Sequence, residues 1–189
     1  MKSRGNEGGP RAVVAWWIKC DPSSLRHQGW NWPDLFEEYE PGKPYLWSVG
    51  PSLSQKNARL ARRGDPVIGY AAGEGHRELL ALAEVERAGV FVPGEGPLRG
   101  ASPFPGGFTV SIRPVALLPN PLPLAAIRVA LRGLDPEFFR TRFGSIFKVR
   151  RAELARLLGA VKSANTGIRV PLAWRRRAST RARPDEARG

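Results

Sequence analysis

The chain has 189 residues, 42% of them hydrophobic and 25% charged, which suits one folded domain with a sizeable core. Its 30 basic residues against 17 acidic ones give a formal net charge of +13, and with Lys only at Lys2, Lys19, Lys43, Lys56, Lys148 and Lys162 that charge is mostly arginine, the footprint of a polyanion binder. One cysteine, Cys20, excludes a disulfide framework within the chain and a thiolate metal cluster and fits a reducing cytoplasm, and no stretch reaches the roughly 18 apolar residues of a membrane span.

Residues 1–11 (MKSRGNEGGPR) read as a disordered leader without the apolar core of a signal peptide. The segment 12–19 (AVVAWWIK), bounded by Asp21-Pro22, predicts a strand. A Trp-rich loop follows, with a short helix at 33–39 and a second strand at 45–49 (YLWSV). Residues 54–63 (SQKNARLARR) predict a helix ended by Gly64-Asp65. Two buried strands, 66–72 (PVIGYAA) and 79–87 (LLALAEVER), flank the turn GEGH as a hairpin. A Gly/Pro-rich loop leads to 108–114 (FTVSIRP), whose alternation is that of a half-buried strand. Residues 122–131 and 150–161 predict amphipathic helices. The ordered body is therefore set at 12–173, and 174–189, rich in arginine, as a solvated basic tail. Five or six short strands with few helices predict an α+β fold: a small twisted barrel with helices covering it.

The residues argue against catalysis. His27 and His76 lie in a loop and a turn, neither with a His or Cys at ligand spacing, so no metal site or cofactor is expected. Cys20 with a distant histidine is a weak nucleophile constellation; a small buried residue is the plainer account. Glu84 and Glu86 lie two apart on a strand and face one way, as edge-facing charge does. The GEG of 73–75 joins two strands, whereas phosphate-binding glycine loops open a helix.

Six tryptophans stand at Trp16, Trp17, Trp30, Trp32, Trp47 and Trp174. Trp16 and Trp17 point to opposite faces of their strand, one toward the core. Trp47, followed by Ser48, offers a stacking face beside a polar group, which is what a flipped base requires.

Taken in order, AWWIKCDP (15–22), YLWSVG (45–50), KNARLARRGDPVIGY (56–70), ALAEVERAG (81–89), GFTVSIRP (107–114) and GSIFKVRRAELARLL (144–158) resemble an EVE domain of the PUA-like superfamily. The resemblance spans about 13–160, and it implies a five- or six-stranded pseudobarrel with covering helices. It further implies a base pocket: Trp47 as the stacking residue, Ser48 beside it, Lys19, Cys20 and Asp21 at the rim, Trp17 on the aromatic strand, Tyr70 behind the pocket and Phe104 as a second wall. Asn57 and Arg59, at the start of the basic helix, would meet phosphate, with Arg62, Arg63, Arg150, Arg151 and the tail from Arg175 lining the backbone path. The segment before Asn57, SLSQK, departs from the family's aromatic or Gln, which bears on base selectivity. EVE modules are similar to readers of modified cytosine in DNA, often fused to nucleases; no nuclease domain is present here, so cleavage would fall to a separate enzyme. Three readings stay open: a modified-base reader on DNA, which is favoured; an RNA-binding module of the same superfamily; and an enzyme on nucleotides that would need Asp21, Glu84 or Cys20.

Overall fold

The computed structural model describes residues 13–23, 31–41, 46–49, 53–73, 75–91, 108–140 and 145–179. The leader, His27, Phe104 and the chain beyond 179 lie outside them. The strands are β1 (Val13–Cys20), β2 (Leu46–Val49), β3 (Pro66–Ala71), β4 (Glu78–Phe91), β5 (Phe108–Pro123) and β6 (Ile146–Arg150). The helices are α1 (Trp32–Glu38), α2 (Leu53–Ala58), α3 (Leu124–Ala130), α4 (Glu137–Arg140), α5 (Arg151–Ala164) and α6 (Leu172–Ala178). The expected α+β architecture is what forms.

The strands make one mixed sheet in the order β2-β5-β4-β3-β1-β6. β1 runs parallel to β3 and antiparallel to β6; the other pairs are antiparallel. Among the described residues β2 and β6 do not pair, so the barrel is not closed by strands. Helix α2 packs against both of these end strands and fills the gap between them. Ser54 Oγ accepts the Ser145 amide at 2.8 Å, and Asn57 Nδ2 donates to the Ile146 carbonyl at 2.9 Å. Two buried polar side chains thus substitute for a ladder that α2 cannot form.

Alternation along β1 divides the core. Trp16, Ile18 and Cys20 join one cluster with Trp32, Leu35 and Ala58; Ala15 and Trp17 join the other with Tyr70, Phe147, Leu154 and Trp174. Both tryptophans are buried, one on each face of the sheet. Helix α1 starts cleanly: Asn31 Oδ1 accepts the Trp32 amide at 2.7 Å, and Asp34 Oδ2 accepts the Asn31 amide at 2.6 Å, a reciprocal cap. Its Trp32 lies flat over β3, where a Cβ on Gly69 would come within 2.7 Å of the indole. Only glycine leaves room for that ring.

Four sequence expectations change. Helix α2 ends at Ala58 rather than at 63, because the chain tightens into turns (Leu60 amide to Asn57 carbonyl, 2.9 Å) and Asp65 Oδ2 takes the Arg62 amide at 2.8 Å. Strand β5 continues past Pro114 to Pro123, its prolines accommodated by a ladder whose register shifts repeatedly against β4. Strand β4 is internal, not an edge: Glu84 pairs with Arg113 at 3.0 Å, and Glu86 accepts from Ser111 Oγ at 3.1 Å and Tyr39 Oη at 3.3 Å. The expected tail from 174 is instead helix α6 as far as Ala178. Trp174 is fully buried against α5, and Arg177 Nη1 reaches Asp65 Oδ1 at 2.5 Å.

Candidate nucleic-acid interface

Five of the expected pocket residues sit where the parallel strands β1 and β3 end. Lys19 lies opposite Tyr70 and Cys20 opposite Ala71 in the ladder, and Trp17, two residues before Lys19, lies opposite Ile68. Beyond Cys20 the chain turns sharply. Asp21 Oδ1 accepts from Ser23 Oγ at 2.6 Å and from the Ser23 amide at 3.2 Å. This turn packs so closely against the β3–β4 hairpin that a Cβ on Gly73 would collide with Asp21 Oδ1. Gly73 also holds a φ of +107°, which a side chain would strain.

Trp17 and Tyr70 come together, but as core rather than as pocket walls. Their ring centroids are 4.8 Å apart. The Trp17 indole is stacked on Phe138 of α4 at 4.0 Å and 2°, and Phe139 meets Phe138 edge-on at 4.8 Å. The face that a base would need is occupied by a side chain of the protein itself. Burial pushes the Tyr70 hydroxyl up, with the neighbouring Arg77 and Arg128 partly opposing it. Cys20 is fully buried on the other face; burial first, and then Asp21 and Asp34, push its thiol far above the usual range. Such a thiol is no nucleophile at neutral pH. Lys19 is half-buried, and burial lowers its ammonium despite the opposing charge of Asp21. Trp17, Cys20 and Tyr70 therefore belong to the interior, while Lys19 and Asp21 are only partly buried, at the strand end and the turn that follows it.

Trp47 and Ser48 lie on the end strand β2, opposite Val110 and Thr109 of β5; their side chains are outside the described residues. Val49 faces Phe108, the first residue of β5, and Phe104 lies outside the described residues. The backbone thus sets Trp47 and Ser48 on an end strand, next to the gap that α2 fills. Trp47 and Trp17 are on strands at separate places in the sheet, with β5, β4 and β3 between them in hydrogen-bonding order.

The expected backbone contacts divide in two. Asn57 is buried near the end of α2, not exposed at its start. Its amide nitrogen bonds the Ile146 carbonyl, and its Oδ1 has no partner among the described residues. Arg150 is a structural residue as well: its amide and Nε bond Glu153 at 2.8 and 2.6 Å, and Nη2 reaches the Asp135 carbonyl and Glu153, which fixes the start of α5. Arg59, Arg62 and Arg63 follow α2 on an exposed turn, and Arg151 is exposed on α5. The sequence reading missed Asp65 and α6; the buried Trp174 inside an arginine-rich stretch was the available signal.

No protein-family model matches the sequence, and no curated protein does either. Solved structures do match. A Rhodopseudomonas palustris protein is 22% identical with a TM-score of 0.58, over 80% of this chain and 93% of its own. The DUF55 domain of human thymocyte nuclear protein 1 is 16% identical with a TM-score of 0.60, over 78% of this chain and 98% of its own. The fold is that of the EVE-type, PUA-like domains. The human protein THYN1, solved in complex with 5-methylcytosine-containing DNA, is 17% identical with a TM-score of 0.58, and the match covers 78% of this chain and 97% of that one. At these identities the EVE-type likeness extends to the fold and not to individual site residues.

Proposed function

We propose that this EVE-type chain is a nucleic-acid-binding module that takes a flipped, modified base, a modified cytosine in DNA being favoured, into an aromatic pocket beside β2. The observation that carries the reading is the likeness of fold to a protein solved with 5-methylcytosine-containing DNA. The net charge of +13 supports a polyanionic partner. In this reading Trp47 stacks on the base, Ser48 meets its polar edge and Phe104 forms the second wall. Lys19 and Asp21 line the rim. Extruding a base costs a few kcal/mol, least from a single strand or mismatch, and a methyl group in a fitted apolar site returns only about 1–3 kcal/mol. Arginines outside the pocket must therefore supply much of the affinity through phosphate contacts.

We further propose that the chain has no chemistry of its own and works in the cytoplasm, with any cleavage left to a separate nuclease. The buried thiol of Cys20 and the commitment of Glu84 and Glu86 to structural partners support the absence of chemistry. The test is a titration of the protein against matched DNA and RNA strands carrying cytosine, 5-methylcytosine, 5-hydroxymethylcytosine or N6-methyladenine, with Trp47→Ala in parallel. The expected result is a preference of about tenfold or more for one modified DNA, lost in Trp47→Ala. Equal binding of all bases, abolished by salt, would leave only a phosphate footprint and remove the pocket. A preference carried by RNA alone would move the reading to structured RNA.

A further inference from the structure

Asp65 is where three distant parts of the chain meet. Its carboxylate, 9% exposed as a residue, accepts from Trp16 Nε1 of β1 at 2.9 Å, from the Arg62 amide at 2.8 Å and from Arg177 Nη1 of α6 at 2.5 Å. The last bond docks α6, with Arg175, Arg176 and Arg177, against the turn that carries Arg59, Arg62 and Arg63. The carboxylates at this junction are already committed. Asp65 holds Arg177, and Glu84, whose Oε1 lies 4.0 Å from where a Cβ on Gly64 would be, is held by Arg113 at 3.0 Å.

The side chains of Arg62, Arg63 and Arg176 are exposed and make no hydrogen bond or ion pair among the described residues. A helix C-terminus favours basic residues and accounts for arginine on α6. It does not account for docking that helix against a second basic segment, where like charges repel. A phosphate backbone would relieve that repulsion.

We propose that residues 59–65 and helix α6 form one phosphate-binding surface for a nucleic-acid backbone. Arg62, Arg63 and Arg176 meet phosphates, and Asp65, through Arg177, is the positioning residue that keeps the two segments side by side. This surface rests on the reading that the chain binds nucleic acid, and it is independent of the base pocket.

The experiment is a salt series of binding to an unmodified DNA duplex. Wild type is compared with Arg62→Ala/Arg63→Ala/Arg176→Ala and with Arg128→Ala/Arg132→Ala/Lys162→Ala, which removes equal charge from exposed positions on and after α3 and on α5. The slope of log affinity against log salt should fall by about 0.9 for each phosphate that the first triple no longer neutralises, and by much less in the second. Equal slopes for the two triples would overturn the surface. Asp65→Asn adds a second readout. If Asp65 only repels DNA, removing its charge strengthens binding; as a positioning residue, its loss weakens binding although the net charge rises. A thermal melt establishes that this variant is folded, and the arm with three exposed arginines stands without it. Slope loss in the first triple with no base preference in wild type would sink the pocket and keep this surface. Base preference with unchanged slopes would do the reverse, and no binding to any DNA or RNA would sink both.

Discussion

Adjacent tryptophans on β1 are held in two different ways. Trp17 is secured by apolar packing: Phe138 is stacked on one face, Tyr70 tilted against it, and no hydrogen bond ties the ring to a charged group among the described residues. Trp16, on the opposite face, donates to Asp65, and the same carboxylate secures a surface turn and a C-terminal helix. The Trp17 face is therefore held by packing alone, into which α6 also sends Trp174. The other is wired to the arginine-bearing surface, so a change in its interior should be felt outside.

The largest test of that contrast is Trp17→Ala. It empties the aromatic stack and should cost about 3–5 kcal/mol, a large share of a typical domain's stability, in a denaturant titration. Trp174 of α6 packs in the same cluster, but the tie of Arg177 to Asp65 lies outside it and should hold α6 to the turn in whatever protein remains folded. A small loss, below about 1 kcal/mol, would mean that the Phe138 stack collapses to fill the space. Trp16→Phe should cost less, about 1.5–3 kcal/mol for a hydrogen bond to a charged group, but it should reach further. Limited proteolysis should become faster around 172–179 in this variant and not in a Trp17→Phe control. Equal proteolysis in both would break the distinction between the faces.

The smallest effect is that of pH. Cys20 shares the Trp16 face, and its folded thiol titrates far above the ordinary value of 9.0. A raised folded pKa contributes stability that is present below the unfolded value and is lost as pH rises past it, because only the unfolded chain then releases the proton. Stability should therefore decline from about pH 8 to about pH 9.5 in wild type and be flatter in Cys20→Ala. Tyr39 and Tyr70, whose hydroxyls are also pushed up by burial, add the same sign at higher pH, while Lys19, pushed down, opposes it. An identical profile for the variant would place the thiol in contact with solvent.

The elements written in local pattern were legible in the sequence. The VVAWWIKC strand, the antiparallel pair β3–β4 and the periodic run of α5 all formed near their expected positions. What depended on remote partners was not legible. Nothing near Trp17 announces that Phe138 will cover it, so it read as an available pocket face. Arg150 looked like a phosphate ligand because its tie to Glu153 is a capping contact, and its reach to Asp135 comes from a separate segment. Asp65 read as a helix stop, which it is, but its bonds to Trp16 and Arg177 span most of the chain. Arginine density hid α6, since composition outweighed the single tryptophan that buries it.

The position of β1 in the sheet also sets a problem in time. It is the first of the described strands to be made, yet its two neighbours, β3 and β6, come later, and β6 lies beyond every other described strand. While the ribosome is still at work, the segment bearing Trp16 and Trp17 must wait uncovered on at least one edge, as an apolar ribbon rich in β-formers. Newborn chains in that state are prone to join one another. For this protein, then, the N-terminal strand stays unprotected on one side until β6 has emerged.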